Sequence, residues 1–510
     1  NKALVIDGLV PTVTNVTSTT SDGTLKVGDV AAITVTFSEA VTVSGTPQLT
    51  LETGSSDAVV NYTSGSGGTA LTFNYTVVSG HTSNDLNYKA TNSLSLNGGS
   101  INDGSGNASN LTLPAIDGSG SLGNNKALVI DGTVPTVTNV TSTTSDGTLK
   151  LGDVAAITVT FSEAVTVSGT PQLTLETGSS DAVVNYTSGS GGSTLTFNYT
   201  VASGHTSSDL DYKATSSLAL NSGTINDAAG NAATLTLASP GASGSLGANK
   251  ALVIDGVVPT VTNVTSFVSD GSFKVNDVIP ITVTFSEAVN VSGTPQLTLE
   301  TGSTDAVVNY ATGSGGTTLT FYYSVAAGNV SSDLDYTSTS ALALNSGTVN
   351  DAAGNAATLT LPSPGESGSL GANKALVVDG IVATVSSVTS TTADGSYKIN
   401  TTIPIKITFS EAVNVTGTPQ ITLETGSSDA VVNYASGSGS TDLIFNYTVA
   451  SGHTSSDLDY VATSSLALNS GTIKDAAGNA ATLTLATPGQ SNSLAANKAL
   501  IVDTTVPTIS

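Results

Sequence analysis

The sequence has no cysteine, no methionine and no tryptophan, and all 13 of its basic residues are lysine. Without cysteine, neither a disulfide framework nor a thiolate metal site can form. The formal net charge is −25, spread evenly along the chain, so the clustered cations that nucleic acid or an anionic membrane would require are missing. No apolar run approaches the ~18 residues of a membrane span, which argues against direct membrane insertion. No phosphate loop, nucleophile elbow or His-rich metal motif is present. The many serines and threonines are not joined in every copy by a base and an orienting acid. These absences speak against an enzyme. What remains open to such an acidic chain is binding of hard cations through carboxylates.

What the chain has in abundance is repetition. NKALVIDG begins at Asn1, Asn125 and Asn249, returns as NKALVVDG at Asn373 and as NKALIVDT at Asn497. The spacing is 124 residues throughout, without insertion, and Phe37, Phe161, Phe285 and Phe409 fall in step. A fixed long period marks a tandem array, and each copy is large enough for its own core. The expected division is 1–8 as the last strand of a preceding repeat, 9–132, 133–256, 257–380 and 381–504 as repeats 1 to 4, and 505–510 as the start of another. Beginning inside this seam and lacking methionine, the chain reads as a segment of a longer array. The absence of a signal peptide therefore says nothing about secretion.

Within a copy the apolar pattern has period two, the mark of half-buried strands. Ile33, Val35 and Phe37 alternate with threonine, as do Leu71, Phe73, Tyr75 and Val77 with Thr72, Asn74 and Thr76. Turn clusters such as SDG at Ser21 and SGSGG at Ser64 separate the runs. No segment sustains a 3.6-residue period, although DAAGNAA at Asp227 has room for one helical turn. Eight or nine short strands per copy predict an all-β fold of antiparallel β-sandwiches. Linkers of a few residues, restricted by Pro11, Pro135 and Pro259, predict an extended rod.

The string VPTVTNVTS, ITVTFSEAV, PQLTLETG, LTFNYTV, SSLALNSGTINDAAGNAATLTL and GSLGANKALVIDG resembles the bacterial Ig-like repeats of giant cell-surface proteins. It is most similar to the repeat named after the swimming-motility surface protein of marine cyanobacteria. The resemblance spans the whole chain. It implies four tandem Ig-like sandwiches, secretion, display on the bacterial cell surface, and a role in long adhesive or filamentous proteins, often with calcium.

In such a sandwich Glu39 of FSEAV is expected just past the end of the second strand, at the N-terminal pole. The DGSGN loop is expected at the same pole, and the seam aspartate arrives there through the linker. Asp7, Glu39, Asp103 and Asn107 are then a candidate ligand set for Ca²⁺, which takes six to eight oxygens. The equivalent sets are Asp131, Glu163, Asp227 and Asn231; Asp255, Glu287, Asp351 and Asn355; and Asp379, Glu411, Asp475 and Asn479. The plainer reading is that Asp and Asn beside glycine are turn formers. Asp22, Asp146, Asp270 and Asp394 are read that way. His81, His205 and His453 are matched by Asn329 in repeat 3 and read as surface-loop residues.

The leading expectation is a structural segment of a surface stalk or filament, stiffened by calcium at its joints, with neighbouring repeats as its main partners and self-assembly into filaments as a variant. The alternative is an adhesin whose modules recognise glycans or other cells. Tyr88, Tyr212, Tyr336 and Tyr460 alternate with leucine and are assigned to the core rather than to such a surface.

Overall fold

The computed structural model describes residues 6–506. Residues 1–5 and 507–510, which the sequence assigns to neighbouring repeats, lie outside the described residues. The chain divides into two compact units, Asn1–Val257 and Val258–Ser510, and each contains two copies of one fold.

Repeat 1 shows the pattern. Its strands are β1 (Val13–Ser18), β2 (Gly23–Lys26), β3 (Val30–Ser44), β4 (Gln48–Glu52), β5 (Ala58–Ser64), β6 (Gly68–Thr76), β7 (Thr82–Ser83), β8 (Asn87–Tyr88), β9 (Leu94–Ser95), β10 (Ser100–Asp103) and β11 (Leu128–Asp131). A curled eight-stranded sheet runs β1-β3-β6-β5-β4-β8, with β10 paired to β3 and β9 to β4. A three-stranded sheet, β2-β11-β7, closes the other side. Strand pairing is antiparallel except between β11 and β2, and one isolated bridge, Thr12–Asn110, is also parallel. Each repeat has its own cluster of buried apolar side chains. In repeat 1 Ile33, Val35, Phe37, Leu71, Phe73 and Tyr75 meet Leu128 and Ile130 of the seam. Burial of each such side chain is worth about 1.5–3 kcal/mol, so the seam strand is held by the repeat it ends. Tyr88, Tyr212, Tyr336 and Tyr460 are buried, as their alternation with leucine predicts.

One local expectation needs correction. FSEAV does not follow a strand end. It lies inside the 15-residue β3, whose first half pairs with β1 and β6 and whose last residues pair with β10. The register shifts between Thr36 and Val41. The reason is legible in the apolar phase: Phe37 and Val41 are both buried, so Glu39 occupies an inward-phase position of a strand that continues through it. The DAAGNAA stretch, with Gly230 in its middle, stays a turn. The helical turn is α1 (Leu122–Asn125) and its equivalents in the seam, each capped by a serine such as Ser121.

The seam residues have separable roles. Asn125 Nδ2 donates to Val16 O at 2.8 Å, which occupies the outer edge of β1; Asn249, Asn373 and Asn497 do the same to Val140, Val264 and Val388. Lys126 Nζ lies 2.8 Å from Asp22 Oδ1, and Asp22 also accepts the Ala127 N–H. The SDG aspartate is thus both turn former and partner of the seam lysine. Gly132 packs so tightly that a Cβ there would fall 2.4 Å from Val78 O.

Candidate metal centre

Three segments bring a carboxylate each to the start of repeat 2. Asp131 is the last residue of β11. Glu163 sits at the inward-phase position of the long strand Val154–Ser168. Asp227 follows the strand Thr224–Asn226 and opens the DAAGN loop. One carboxylate oxygen from each lies within 4.8 Å of the others. Repeat 1 has the same arrangement from Asp7, Glu39 and Asp103, and repeat 4 from Asp379, Glu411 and Asp475. Of the remaining candidates, Asp255 ends the strand Leu252–Asp255 in the first unit; in the second, Glu287 lies in the strand Val278–Ser292, and Asp351 follows the strand Thr348–Asn350 and accepts the N–H of Asn355.

The aspartates are held by short local bonds. Asp227 Oδ1 accepts the N–H groups of Gly230 at 2.7 Å and Asn231 at 2.8 Å. Asp131 Oδ1 accepts the Thr133 N–H at 3.1 Å. These are the turn bonds that the plainer reading of the sequence expects. Burial acts to raise the pKa of Asp103, but hydrogen bonds from Asn107, Ser105 and Gly106 outweigh it and hold the carboxyl below its ordinary range.

Glu163 and Glu411 are not turn residues. Oε1 of Glu163 and of Glu411 is buried without a hydrogen-bond partner. Burial raises the Glu163 pKa, and the charges of Asp227 and Asp131 add to the rise. Glu411 is raised in the same way by burial, Asp475 and Asp379. No lysine forms an ion pair with either trio among the described residues. A buried carboxylate oxygen left unpaired costs about 1–3 kcal/mol or more, and a cation would remove that cost. The donor chemistry fits Ca²⁺. Oxygens bound to one calcium at ~2.4 Å can be no farther apart than about 4.8 Å, and the trio meets that limit. Backbone carbonyls and water would complete the shell.

The asparagines, expected as ligands, are placed differently. Asn231 turns its amino group toward the cluster, donating to Asp227 Oδ2 at 2.8 Å and to Asp131 O at 2.9 Å. Its oxygen accepts the N–H of Val27, in repeat 1, at 2.9 Å. Asn479 repeats this with Asp475, Asp379 O and the Val275 N–H, and Asn107 and Asn355 donate to Asp103 and Asp351. An amide whose oxygen is already taken by a backbone donor is a clamp rather than a ligand. The 3.6-free sequence pattern gave no hint of this, because Val27 and Asn231 are 204 residues apart.

The histidines are not simple loop residues either. Tyr75 is buried, and its hydroxyl lies 3.0 Å from His81 Nδ1. His205 and His453 serve Tyr199 and Tyr447 in the same way. In repeat 3 Asn329 Oδ1 accepts from Tyr323 at 3.0 Å, so the exchange of residue keeps the bond.

Residues 127–239 match the family model described as the bacterial Ig-like domain. No curated protein matches the chain. Among solved structures it is similar to the I-band fragment I67–I69 from titin, at 10% identity, over 67% of this chain and 94% of that one, with a TM-score of 0.26. The family match covers the seam strand of repeat 1 and most of repeat 2, and the other three repeats share the strand order of repeat 2: the chain is a tandem array of Ig-like β-sandwiches similar to the bacterial Ig-like domain.

Proposed function

We propose that the array is a structural segment of a bacterial cell-surface stalk or filament protein, and that Ca²⁺ held by the carboxylate trios stiffens the joints between repeats. The observation that carries the reading is the buried, unpartnered Oε1 of Glu163 and Glu411, each set among two further carboxylates. The trio also joins two repeats. Asp131 closes repeat 1 through β11, whereas Glu163 and Asp227 belong to repeat 2. An ion shared among them would resist bending at the linker and stabilise both partners. Without the ion, three like charges push the same segments apart. Similarity to the bacterial Ig-like domain supports a mechanical role at the cell surface.

The test is thermal unfolding of stripped protein with calcium and with chelator. One site at a hundred times its dissociation constant adds about 2.7 kcal/mol, so calcium should raise the melting temperature by several degrees. No shift, with magnesium and calcium indistinguishable, would remove the clamp.

A further inference from the structure

We propose that repeat 3 carries a saccharide-binding groove, absent in this form from the other repeats, with Tyr322 as its stacking platform and a neutral hexose oligosaccharide as its ligand. The groove has a volume of about 650 Å³. Val307, Asn309 and Ala311 of the strand Ala306–Thr312 form one wall, and Tyr322 and Ser324 of the strand Gly316–Ser324 the other. Repeats 1 and 2 have the same groove, but there the platform position is Asn74 or Asn198. In repeat 4 it is Asn446. The three other copies thus serve as internal controls: the fold needs no aromatic at this place.

Tyr322 is 54% exposed. Its Cα partner across the sheet is Pro280, beside which the chain emerges at Phe267, 75% exposed and one residue beyond Ser266, the partner of Ile281. Two strand spacings put Phe267 about 10 Å from Tyr322. Repeats 1, 2 and 4 have threonine there, at Thr19, Thr143 and Thr391. Repeat 3 therefore has two exposed aromatic rings that the other repeats lack, one on the sheet and one in the bend that follows Ser266, in a chain whose aromatic content is only 5%. Together the two rings widen the apolar surface beside the groove, and contiguous apolar surface of this kind is what interaction sites use.

The groove chemistry selects that ligand. A hexopyranose presents an apolar C–H face, which stacks on a ring, and a rim of hydroxyls, which need donors and acceptors. Tyrosine supplies the flat face and a polar tip. Asn309 gives its oxygen to Gln296 Nε2 at 2.9 Å, which leaves its amino group for a hydroxyl. Ser324 adds a further donor and acceptor. Asp305 is the charged residue in the lining, and the chain is strongly acidic. A sulfated, phosphorylated or uronic sugar would be repelled, and a neutral one would not.

The experiment is titration calorimetry of the whole chain against maltohexaose, cellohexaose, laminarihexaose and mannohexaose. Tyr322→Asn introduces the residue of the other three repeats, so its melting temperature should stay close to that of the parent. At least one hexaose should bind the parent chain, and Tyr322→Asn should weaken it about tenfold or more. Asn198→Tyr should confer a second site on repeat 2. No trio carboxylate lines the groove, so chelator should leave binding intact whatever becomes of the calcium reading. Binding of none of the four sugars, binding unchanged by Tyr322→Asn, or an effect of Tyr322→Asn on sedimentation alone, which would assign the patch to contact between copies of the chain, would each overturn the proposal.

Discussion

Glu163→Gln keeps the shape of the side chain and removes its charge, so its effect should change sign with calcium. Without the ion, Glu163 repels Asp131 and Asp227 at separations up to 4.8 Å. At that distance each pair is worth about 0.9 kcal/mol in bulk water and about 3.5 at an effective dielectric of ~20. The glutamate is only partly buried, so the lower part of the range applies, and removing two pairs should stabilise the chelated protein by about 2 kcal/mol. With calcium the same change removes a charged ligand and forfeits much of the roughly 2.7 kcal/mol of binding. The assay is scanning calorimetry of Glu163→Gln/Glu411→Gln beside the parent chain, in chelator and in calcium. An array of repeats does not melt as one two-state unit, so the affected part of the heat-capacity envelope is compared. It should move up by several degrees in chelator and down by a similar amount in calcium, at about 4 °C per kcal/mol. Movement in the same direction in both buffers would show that the trio does not hold an ion.

Four further outcomes follow from the same structure. His205→Ala should cost about 1–3 kcal/mol by orphaning the buried Tyr199 hydroxyl, whereas His205→Asn should be nearly neutral, because Asn329 already makes this bond in repeat 3; denaturant midpoints decide. Burial raises Tyr75, Tyr199 and Tyr447 from 10.0 to about 12. The unfolded chain ionises first, so this stabilisation is complete below pH 10 and lost between pH 10 and about 12, which alkaline unfolding followed by circular dichroism should show. Asn231→Ala should remove hydrogen-exchange protection from the Val27 amide and loosen the joint between repeats 1 and 2 even in chelator, since that bond involves no metal. At the joint between repeats 3 and 4, Ala383 stands where the other linkers have proline. Proline narrows the linker's angles, so Glu411→Gln should broaden the interdomain angles seen in single-particle images more than Glu163→Gln does, and Ala383→Pro should reduce the difference.

The fold was largely legible because the alternation of Ile33, Val35 and Phe37, and of Leu71, Phe73 and Tyr75, directly encodes which side chains enter the core. The carboxylates of the candidate site were legible too, as residues at fixed places in a repeat. Glu39 is harder to place, because a polar residue in an apolar alternation looks like a strand end, although Phe37 and Val41 keep one phase across it. The roles of Asn231, His205 and Lys126 rest on partners that the chain brings close only on folding: Val27, the hydroxyl of Tyr199 and Asp22. No periodicity marks such pairs. Tyr322 is masked for the opposite reason: it sits between buried Phe321 and Tyr323, and in a strand a run of three aromatics must send its middle member outward when its neighbours face the core.

The central claim, that the carboxylate trios hold calcium, is tested most directly by counting the ion. Protein dialysed against buffer with trace calcium and then analysed by inductively coupled plasma mass spectrometry should retain calcium in preference to magnesium, and Glu163→Gln/Glu411→Gln should retain measurably less. Calcium-free protein, or equal calcium in the parent and the double variant, would contradict the account.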